Sequence, residues 1–406
     1  MSTTRNKTVE YVVIGAGPAA ICAIPNILNT GVPGDEIIWI DPKFNVGDFG
    51  SILSEGSSVP GNTSVANYQK VNQAIYKMLP ACAPVDQKFE LDSLHSTIVC
   101  SLKIAAEPLQ HISDKLRDIV HSIKGSVETI YTLKKGLKLE IMSNGKLITL
   151  LAKRVILATG ARAKTLELPL GNNNIVMIEP NIAFIESKLA EYLRANPAIK
   201  TVAVIGSSHS AALAVMHLLK AGLTVKQFMD KEYRFATPSI GPNGTKFTMF
   251  DNTGLKGNVA KFTRELMDGS YRNKWICYIG KNREEVSTLL SYHLFDCSHA
   301  IAAIGYQPSE TLRINNIPLS QYQHNNKTTG FENVPGIIGI GVAFPPLVKA
   351  ISGEIEYAVG VGKFWTTASN PAVLEFWRTN TAYFSEGTEA HDYQNSFSTS
   401  LLMSKL

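Results

Sequence analysis

Two short segments of the chain combine residue types that can hold the pyrophosphate of a dinucleotide. The first is YVVIGAGPAA, residues 11–20, and the second is TVAVIGSSHSAA, residues 201–212. In each, a β-branched run ends at a glycine, and small residues typical of a helix start follow it. Free backbone N–H groups at a helix N-terminus attract phosphate oxygens. The pattern therefore predicts two nucleotide-binding turns in one chain.

The first segment carries the glycines that a dinucleotide fingerprint requires. Gly15 allows the tight turn, and Gly17 lets the backbone approach phosphate with no side chain between them. Ala20 replaces the third glycine, an accepted substitution where the helix packs on the strand. Pro18 and Ala19 begin the predicted helix and complete the set of expected cofactor contacts.

A second strand supplies the acid that such a unit needs. The apolar run IIWID ends at Asp41, whose carboxylate could accept hydrogen bonds from a ribose hydroxyl, and Pro42 and Lys43 follow it. Pro25 lies inside the predicted helix and removes a hydrogen bond there, so we expect a bend or an early end. The presence of strand, helix and acid favours a nucleotide site over an ordinary buried turn.

The second segment departs from the fingerprint at its middle position. Ser208 stands where the second glycine would be, so its side chain narrows the approach to the backbone, although its hydroxyl can bond a phosphate oxygen. A degenerate βαβ unit that holds no nucleotide is the alternative. The nucleotide contacts expected here are Gly206, Ser207, Ser208, His209 and Ser210.

The strand after the second segment leaves the nicotinamide donor open. LTVKQFMD ends at Asp230, whose carboxylate favours the free 2′-hydroxyl of NAD. Lys231 and Arg234 follow closely, and cations suit the 2′-phosphate of NADP. The sequence therefore predicts NADH or NADPH without choosing between them.

Two further strands give the order of these units. RVILATGA, residues 154–161, and HAIAAIGYQP, residues 299–308, are buried-type strands that run into glycines. With them, the chain resembles the flavoproteins with two dinucleotide-binding domains over residues 9–365. In that family an ATG-like strand leaves an FAD domain, a nicotinamide domain is inserted, and a second such strand returns.

The resemblance implies an α/β protein with two Rossmann-like, doubly wound domains, each with a central parallel sheet. It places the FAD domain in residues 1–165 and 299–365, the NAD(P) domain in 166–298, and a tail in 366–406. The resemblance also implies flavin contacts in the turns that follow three strands and in the long loop after Asp41. Those residues are Gly47, Thr159, Gly160, Gly305, Gly341 and Val342.

Three local expectations accompany this layout. Val342 stands where the family commonly has an acid, so the turn IIGIGVAFPP is expected to contact the flavin only through its backbone, and a helix-compatible stretch follows from residue 347 to 364. Apolar recurrence predicts an amphipathic helix over residues 107–122 with Pro108 in its first turn. A further helix is expected at residues 372–378.

The resemblance implies hydride transfer from NADH or NADPH to FAD and leaves the fate of the reduced flavin open. GSSHSAA resembles the GSGQSAA-type sequence of amine N-hydroxylases, and IAAIGYQP resembles their ATGY-type strand. This favours a class B monooxygenase-like enzyme acting on a small molecule, with no catalytic residue assigned. A disulfide reductase would need two neighbouring cysteines, and the closest pair, Cys82 and Cys100, is 18 residues apart. A non-enzymatic or regulatory FAD-binding protein is the third hypothesis.

Composition limits the other classes of protein to which the chain could belong. A chain of 406 residues with 45% hydrophobic residues suits two domains, and a net charge of +5 without a basic tract gives no basis for nucleic-acid binding. Apolar runs are too short for a membrane helix, so we expect a cytoplasmic protein, or a peroxisomal one if the terminal Ser404-Lys405-Leu406 is read as a signal. Five widely spaced cysteines suggest neither a disulfide framework nor a metal site. The oligomeric state is not predicted.

Overall fold

The computed structural model describes residues 8–51, 60–168, 174–241, 244–309, 311–350 and 353–382. The terminal Ser404-Lys405-Leu406 lies outside these residues. No helix in the described part of the chain is long and apolar enough to cross a membrane. The same residues contain no cluster of three or more His, Cys, Asp or Glu side chains that could hold a metal ion.

The part of the chain before residue 164 forms nine strands and five helices within the described ranges. The strands are β1 (Thr8–Ile14), β2 (Ile37–Asp41), β3 (Pro60–Ser64), β4 (Val99–Ser101), β5 (His121–Lys124), β6 (Ser126–Leu133), β7 (Gly136–Ser143), β8 (Lys146–Leu157) and β9 (Ala161–Ala163). The helices are α1 (Pro18–Asn29), α2 (Gly47–Gly50), α3 (Val65–Met78), α4 (Glu90–Ser93) and α5 (Leu102–Ile119).

The middle of the chain forms a second set of elements. Its strands are β10 (Val176–Met177), β11 (Thr201–Ile205), β12 (Thr224–Met229), β13 (Thr237–Ile240), β14 (Lys246–Met249), β15 (Trp275–Ile279) and β16 (His299–Ala302). Its helices are α6 (Pro180–Ala183), α7 (Glu186–Ala195), α8 (His209–Lys220), α9 (Gly257–Met267) and α10 (Arg283–His293). Strands β10, β16, β11, β12 and β15 form one parallel sheet in that order.

The last part of the chain returns to the first set. Its strands are β17 (Tyr306–Pro308), β18 (Arg313–Ile314), β19 (Ile317–Pro318), β20 (Ile337–Gly339), β21 (Leu347–Lys349) and β22 (Ile355–Tyr357), and its helices are α11 (Val361–Ala368) and α12 (Pro371–Thr379). Strand β20 pairs in parallel with β8, and β18 pairs with β6.

Strand β8 organises the first sheet because it changes neighbours along its length. Its first half pairs antiparallel with β7, and its second half pairs in parallel with β20 on the same edge. Its other edge pairs in parallel with β1, which continues to β2 and β5. The apolar, β-branched residues of β1 and β2 suit strands that are covered on both faces.

The buried apolar residues form separate cores. The clusters around Ile21 and Val155 draw only on residues before 164 or after 305, whereas those around Val204 and Phe228 draw only on residues between 166 and 304. We name the two sets of elements the first domain (β1–β9, β17–β22, α1–α5, α11, α12) and the second domain (β10–β16, α6–α10). The predicted α/β architecture with two parallel Rossmann-like sheets is confirmed.

Three local expectations were wrong in part or in full. Helix α1 does not end at Pro25 but continues to Asn29, and the buried Asn26 side chain donates to the Cys22 carbonyl beside it. A bend at Pro25 stays a prediction. Helix α5 begins at Leu102, because the Ser101 hydroxyl accepts from the Ile104 N–H and caps it there; its proline is therefore internal. The stretch predicted as a helix over residues 347–364 forms the β21–β22 hairpin before α11 begins.

The helix expected at residues 372–378 is present as α12. Strand β16 lies in the second sheet between β10 and β11. The limits of the domains stay a prediction.

Candidate functional site

The turn after β1 is closed by three contacts of one glycine. Gly15 has φ +100°, its N–H donates to the Ile40 carbonyl at 2.8 Å, and its carbonyl accepts from Trp39 Nε1 at 2.8 Å. A Cβ on Gly15 would lie 2.3 Å from the Ala158 carbonyl oxygen at the end of β8. Both the backbone angle and the close approach therefore require glycine.

The turn after β11 repeats these contacts in the second domain. Gly206 has φ +128°, its N–H donates to the Phe228 carbonyl at 2.8 Å, and its carbonyl accepts from Gln227 Nε2 at 2.9 Å. A Cβ here would lie 2.4 Å from the Ala303 carbonyl oxygen. The two turns thus share one geometry although their side chains differ, and each opens a helix at the carboxyl edge of a parallel sheet, where such sheets bind ligands.

The N-terminus of α1 has open space in front of it. A Cβ on Gly17, the residue that precedes the helix, would meet nothing within 4 Å. Two other backbone segments border this space: a Cβ on Gly47 would lie 3.2 Å from Gly17 Cα, and one on Gly341 would lie 2.9 Å from the Ala19 Cβ. Val342, beside Gly341, is exposed. These glycines form a cradle that a diphosphate and its attached groups fit.

The turn after β8 holds a polar atom that needs a partner. The Thr159 hydroxyl is shielded from solvent and has no hydrogen-bond partner among the described residues, and the next residue, Gly160, has φ +68°. Such an atom is costly unless a bound group satisfies it. Together with the open space at Gly17, this hydroxyl fits a bound dinucleotide such as FAD.

Asp41 is placed differently from a simple ribose acceptor. Its Oδ2 accepts from the Ala16 N–H at 2.8 Å, and its Oδ1 accepts from the N–H groups of Lys43 and Phe44 at 2.7 Å each. The carboxylate thereby ties the glycine turn to the loop after β2. Pro42 and Lys43 have exposed side chains. A ribose contact at Asp41 stays a prediction. No sequence pattern indicates these three hydrogen bonds to backbone N–H groups.

The loop between Asp41 and α2 holds strained backbone beside the cradle. Phe44 and Val46 have φ of 55° and 60°, which is rare for residues with bulky side chains. Contacts to Phe44 hold the loop in place: Gln110 Nε2 donates to its carbonyl at 3.0 Å, and its ring packs edge-on against Trp39. Strain that is held by surrounding contacts is typical of functional sites.

The N-terminus of α8 lacks a glycine cradle but carries the polar side chains of Ser208 and His209. Ser208 precedes the helix and is exposed, with its hydroxyl 3.5 Å from the Ala303 carbonyl oxygen. His209 Nδ1 is shielded from solvent without a partner among the described residues. Burial, and then the nearby Lys256 ammonium, lowers the His209 pKa to about 4, so the ring is neutral at physiological pH. Like Thr159, it presents an unsatisfied atom where a nucleotide is expected.

The acid of the second domain lies one residue later in register than Asp41. Because Ile14 pairs with Ile40 and Ile205 with Phe228, the residue that matches Asp41 is Met229, and Asp230 follows it. Asp230 is exposed, and Ser207 Oγ donates to its Oδ1 at 3.4 Å.

The two cations that follow this acid are also exposed. Lys231 has an exposed side chain, and the Arg234 guanidinium lies over the Phe250 ring at 5.2 Å. The positions of all three charged residues stay compatible with both NADH and NADPH.

Tyr306 is a polar residue at this site that the sequence analysis did not single out. It begins β17, directly after Gly305, and its hydroxyl forms a hydrogen bond with Ser210 at the start of α8. Desolvation, together with the charge of Asp48 in the first domain, raises the pKa of its phenol. Tyr306, Ser210 and Gly305 line a shallow recess of about 10 Å³, room for one water molecule. The sequence signal for Tyr306 was its position directly after Gly305, the glycine that ends the second ATG-like strand.

All five cysteines lie within the described residues, and none forms a disulfide. Burial raises the pKa of every one of these thiols, to about 11 for Cys82 and Cys277 and about 12 for Cys297. None is therefore a thiolate near neutral pH, the form that attacks a disulfide.

Comparisons with known proteins agree with this geometry. A family model described as pyridine nucleotide-disulphide oxidoreductase matches residues 9–341. Monooxygenase AgnR1 of Paecilomyces divaricatus is 30% identical over 385 residues, which cover 87% of this chain and 94% of that protein.

Two solved structures share the fold over nearly their whole length. DfoA of Erwinia amylovora, the cadaverine monooxygenase of desferrioxamine biosynthesis solved with FAD, has 13% identity and a TM-score of 0.61, covering 96% of this chain and 98% of that chain. Bacillithiol disulfide reductase Bdr of Bacillus cereus has 14% identity and a TM-score of 0.55, covering 92% and 99%. At such identities the likeness shows the fold alone.

Proposed function

Since this chain belongs to the pyridine nucleotide-disulphide oxidoreductase family, we propose that it is a monooxygenase-like enzyme that oxidises a small molecule. The predicted FAD-dependent NAD(P)H oxidoreductase is confirmed by that membership and by the monooxygenase relative. The match to an oxidoreductase family and to a monooxygenase favours an enzyme over the regulatory alternative. The name of AgnR1 supports oxygen as the electron acceptor here.

One feature of the structure favours one of the two enzyme classes that share this fold. A disulfide reductase needs a thiolate at the flavin. Four of the five cysteines of this chain are buried, Cys277 is partly buried, and all five thiols have raised pKa values. A monooxygenase needs no thiol, because bound FAD accepts the hydride and passes electrons to oxygen. The state of the cysteines therefore favours the monooxygenase.

The proposed roles of the chain's own residues follow from the two turns. The open backbone at Gly17 and the unsatisfied Thr159 hydroxyl hold FAD at the N-terminus of α1, bordered by Gly47 and Gly341. Gly206 and the residues before α8, including the neutral His209, hold the nicotinamide nucleotide. The protein orients two rings and excludes water between them.

An anaerobic titration with NADH or NADPH, followed by mixing with oxygen, tests the proposal. Full reduction should consume one donor molecule per FAD, because only the flavin takes electrons. A reductase with an active disulfide would consume two. Oxygen uptake and product mass are then recorded with amine and sulfide substrates, and a product that gains one oxygen atom is expected.

Replacing both Cys82 and Cys100 with alanine provides the matched control. A monooxygenase keeps its donor-dependent oxygen uptake after this change. Loss of turnover with FAD still bound, together with consumption of two donor molecules in the wild-type titration, would instead establish the disulfide reductase.

A further inference from the structure

The second domain is joined to the first by two chain crossings that lie side by side. The crossings pair as the antiparallel ladder β9–β17, in which Ala163 is opposite Tyr306, and the Lys164 N–H donates to the Gly305 carbonyl at 3.0 Å. A narrow ladder of this kind holds the orientation of one domain relative to the other only weakly, and helix α9 of the second domain also contacts β3 of the first.

A further attachment lies between the loop before α9 and the β21–β22 hairpin. Glu356 in β22 is only 3% exposed, yet its carboxylate accepts hydrogen bonds from donors in the second domain. The Asn252 N–H and Nδ2 donate to Oε2 at 3.2 and 3.0 Å, and Thr253 Oγ1 donates to Oε1 at 2.5 Å. Burial alone would raise the pKa of Glu356, but these donors outweigh it and keep the carboxylate ionised.

An ion pair beside it joins the same two domains. Asp251 Oδ2 lies 2.8 Å from Lys363 Nζ in α11, and its Oδ1 lies 2.7 Å from Lys256 Nζ. Lys256 directly precedes α9, and its charge reaches His209 at the start of α8. Helix α11 packs on α1, whose N-terminus borders the cradle, so this ion pair connects elements of both nucleotide sites.

From these contacts we infer that Asp251 and Glu356 are positioning residues for hydride transfer. With Asn252, Thr253 and Lys363 they form an interdomain clasp, which fixes the rotation of the second domain about the β9–β17 ladder. The clasp sets the distance between the nicotinamide and flavin rings. The inference rests on the proposed function, because it requires a donor nucleotide in the second domain and FAD in the first.

Such a clasp affects the rate, because hydride transfer depends steeply on the distance between the reacting atoms. Transfer requires an approach of roughly 3 to 3.5 Å, and a displacement of about 1 Å can cost on the order of 100-fold in rate. Together with the β9–β17 ladder and the contact of α9 with β3, the clasp fixes the orientation of the two domains. Opening the clasp should therefore slow flavin reduction while each domain keeps its own nucleotide.

Stopped-flow reduction of the FAD-loaded protein by NADH and NADPH, without oxygen, tests the inference. Glu356→Ala and Lys363→Met should each slow reduction at saturating donor by at least about tenfold, with FAD content and donor Kd unchanged. Lys363→Arg should restore most of the rate because it keeps the ion pair. Glu375→Gln is the matched control: it removes an exposed Arg378–Glu375 pair that lies within α12, and its rate should equal that of the wild type.

Amide hydrogen exchange in the apoprotein gives a second readout. Glu356→Ala should speed exchange in residues 250–256, where the Asn252 N–H loses its acceptor, and leave exchange in β1 and α1 unchanged. Wild-type reduction rates in the variants would overturn the clasp while leaving the proposed function intact. Loss of FAD from the variants would also overturn it, because the role would then be support of the first site. A wild-type flavin that neither donor reduces would refute the proposed function and the clasp with it.

Discussion

Gly15 and Gly17 stand two residues apart but have different physical roles. A Cβ on Gly15 would collide with the Ala158 carbonyl, whereas one on Gly17 would meet no protein atom within 4 Å. We therefore expect Gly17→Val to fold with near-normal stability and to bind FAD at least tenfold more weakly, a loss of about 1.4 kcal/mol or more. Flavin retained after gel filtration and a direct FAD titration measure this.

Gly15→Ala serves as the contrasting variant. Its φ of +100° and the 2.3 Å approach to a backbone oxygen predict a chain that unfolds at lower urea concentration even without FAD. Equal FAD affinity in Gly17→Val and the wild type would show that the diphosphate does not lie at this turn.

His209 makes stability depend on pH. Its pKa falls from an ordinary 6.5 to about 4 in the folded chain, because burial and the Lys256 charge disfavour the protonated ring. The unfolded chain therefore binds the extra proton between pH 6.5 and 4, and stability falls as pH falls through that window, by about 2 to 3 kcal/mol from this group. His209→Gln should flatten the dependence in a denaturation series on the apoprotein.

The exposed His95 gives a matched control for this experiment. His95→Gln removes a histidine without removing a shielded ring, so its stability should follow the wild-type curve across the same pH range. If His209→Gln also followed the wild-type curve, His209 would be solvated in the folded chain.

At the scale of elements, the strands, helices and glycine turns that repeat a known pattern were predictable from sequence. Strands β1, β2 and β11 and helices α1 and α8 follow from periodicity and glycine placement, since local rules determine them. The β21–β22 hairpin was not predictable, because its residues are compatible with a helix and it is fixed by contacts with residues more than 100 positions away, such as those of Glu356.

The residues of the candidate site also include some that the sequence could predict and some that it could not. Gly15 and Gly206 were predictable because a backbone angle and a close approach permit only glycine. Gly17 was predictable for another reason, since a phosphate at the helix N-terminus would occupy the space of any side chain there. The binding of Asp41 to three backbone N–H groups was not, because a short carboxylate at that position can either reach a ligand or turn back to the loop. Tyr306 depends on which residues the second chain crossing brings to α8, and that is a property of the tertiary fold.

Helix α12 completes the first domain, although it is remote in sequence from most of that sheet. Trp377 is 1% exposed, and its Nε1 donates to Thr329 Oγ1 at 2.8 Å. Just beyond the helix, the Ala382 N–H donates to the Lys153 carbonyl and its carbonyl accepts from the Gly136 N–H, which fills the gap where β8 changes neighbours.

These contacts predict that Trp377→Ala lowers the free energy of unfolding of the first domain by about 3 to 5 kcal/mol. Trp377→Phe, which keeps most of the ring packing and loses one hydrogen bond, should cost roughly 1 to 2 kcal/mol. Urea denaturation followed by circular dichroism measures both. Similar losses in the two variants would mean that the hydrogen bond to Thr329, and not packing, holds α12.

At the scale of the whole molecule, the separate cores and the narrow ladder between them predict unfolding in two transitions. Because no buried apolar cluster among the described residues spans the domains, either core can be lost while the other stays packed. FAD at about 100 times its Kd should stabilise the first domain by about 2.7 kcal/mol and leave the second nearly unchanged, whereas NAD⁺ or NADP⁺, whichever the second domain binds, should do the reverse.

Tryptophan fluorescence can assign the transitions. Trp275 lies in the second domain, where its Nε1 donates to Gln227 Oε1 at 3.0 Å, and Trp39, Trp365 and Trp377 lie in the first. In Trp275→Phe the transition that FAD does not shift should lose its fluorescence change, while calorimetry still detects it. Glu356→Ala should widen the interval between the two transitions, because the interdomain clasp couples the domains. A single unfolding transition whose midpoint rises with FAD would contradict the independence of the two cores. The clasp and the ladder would then join the domains into one cooperative unit.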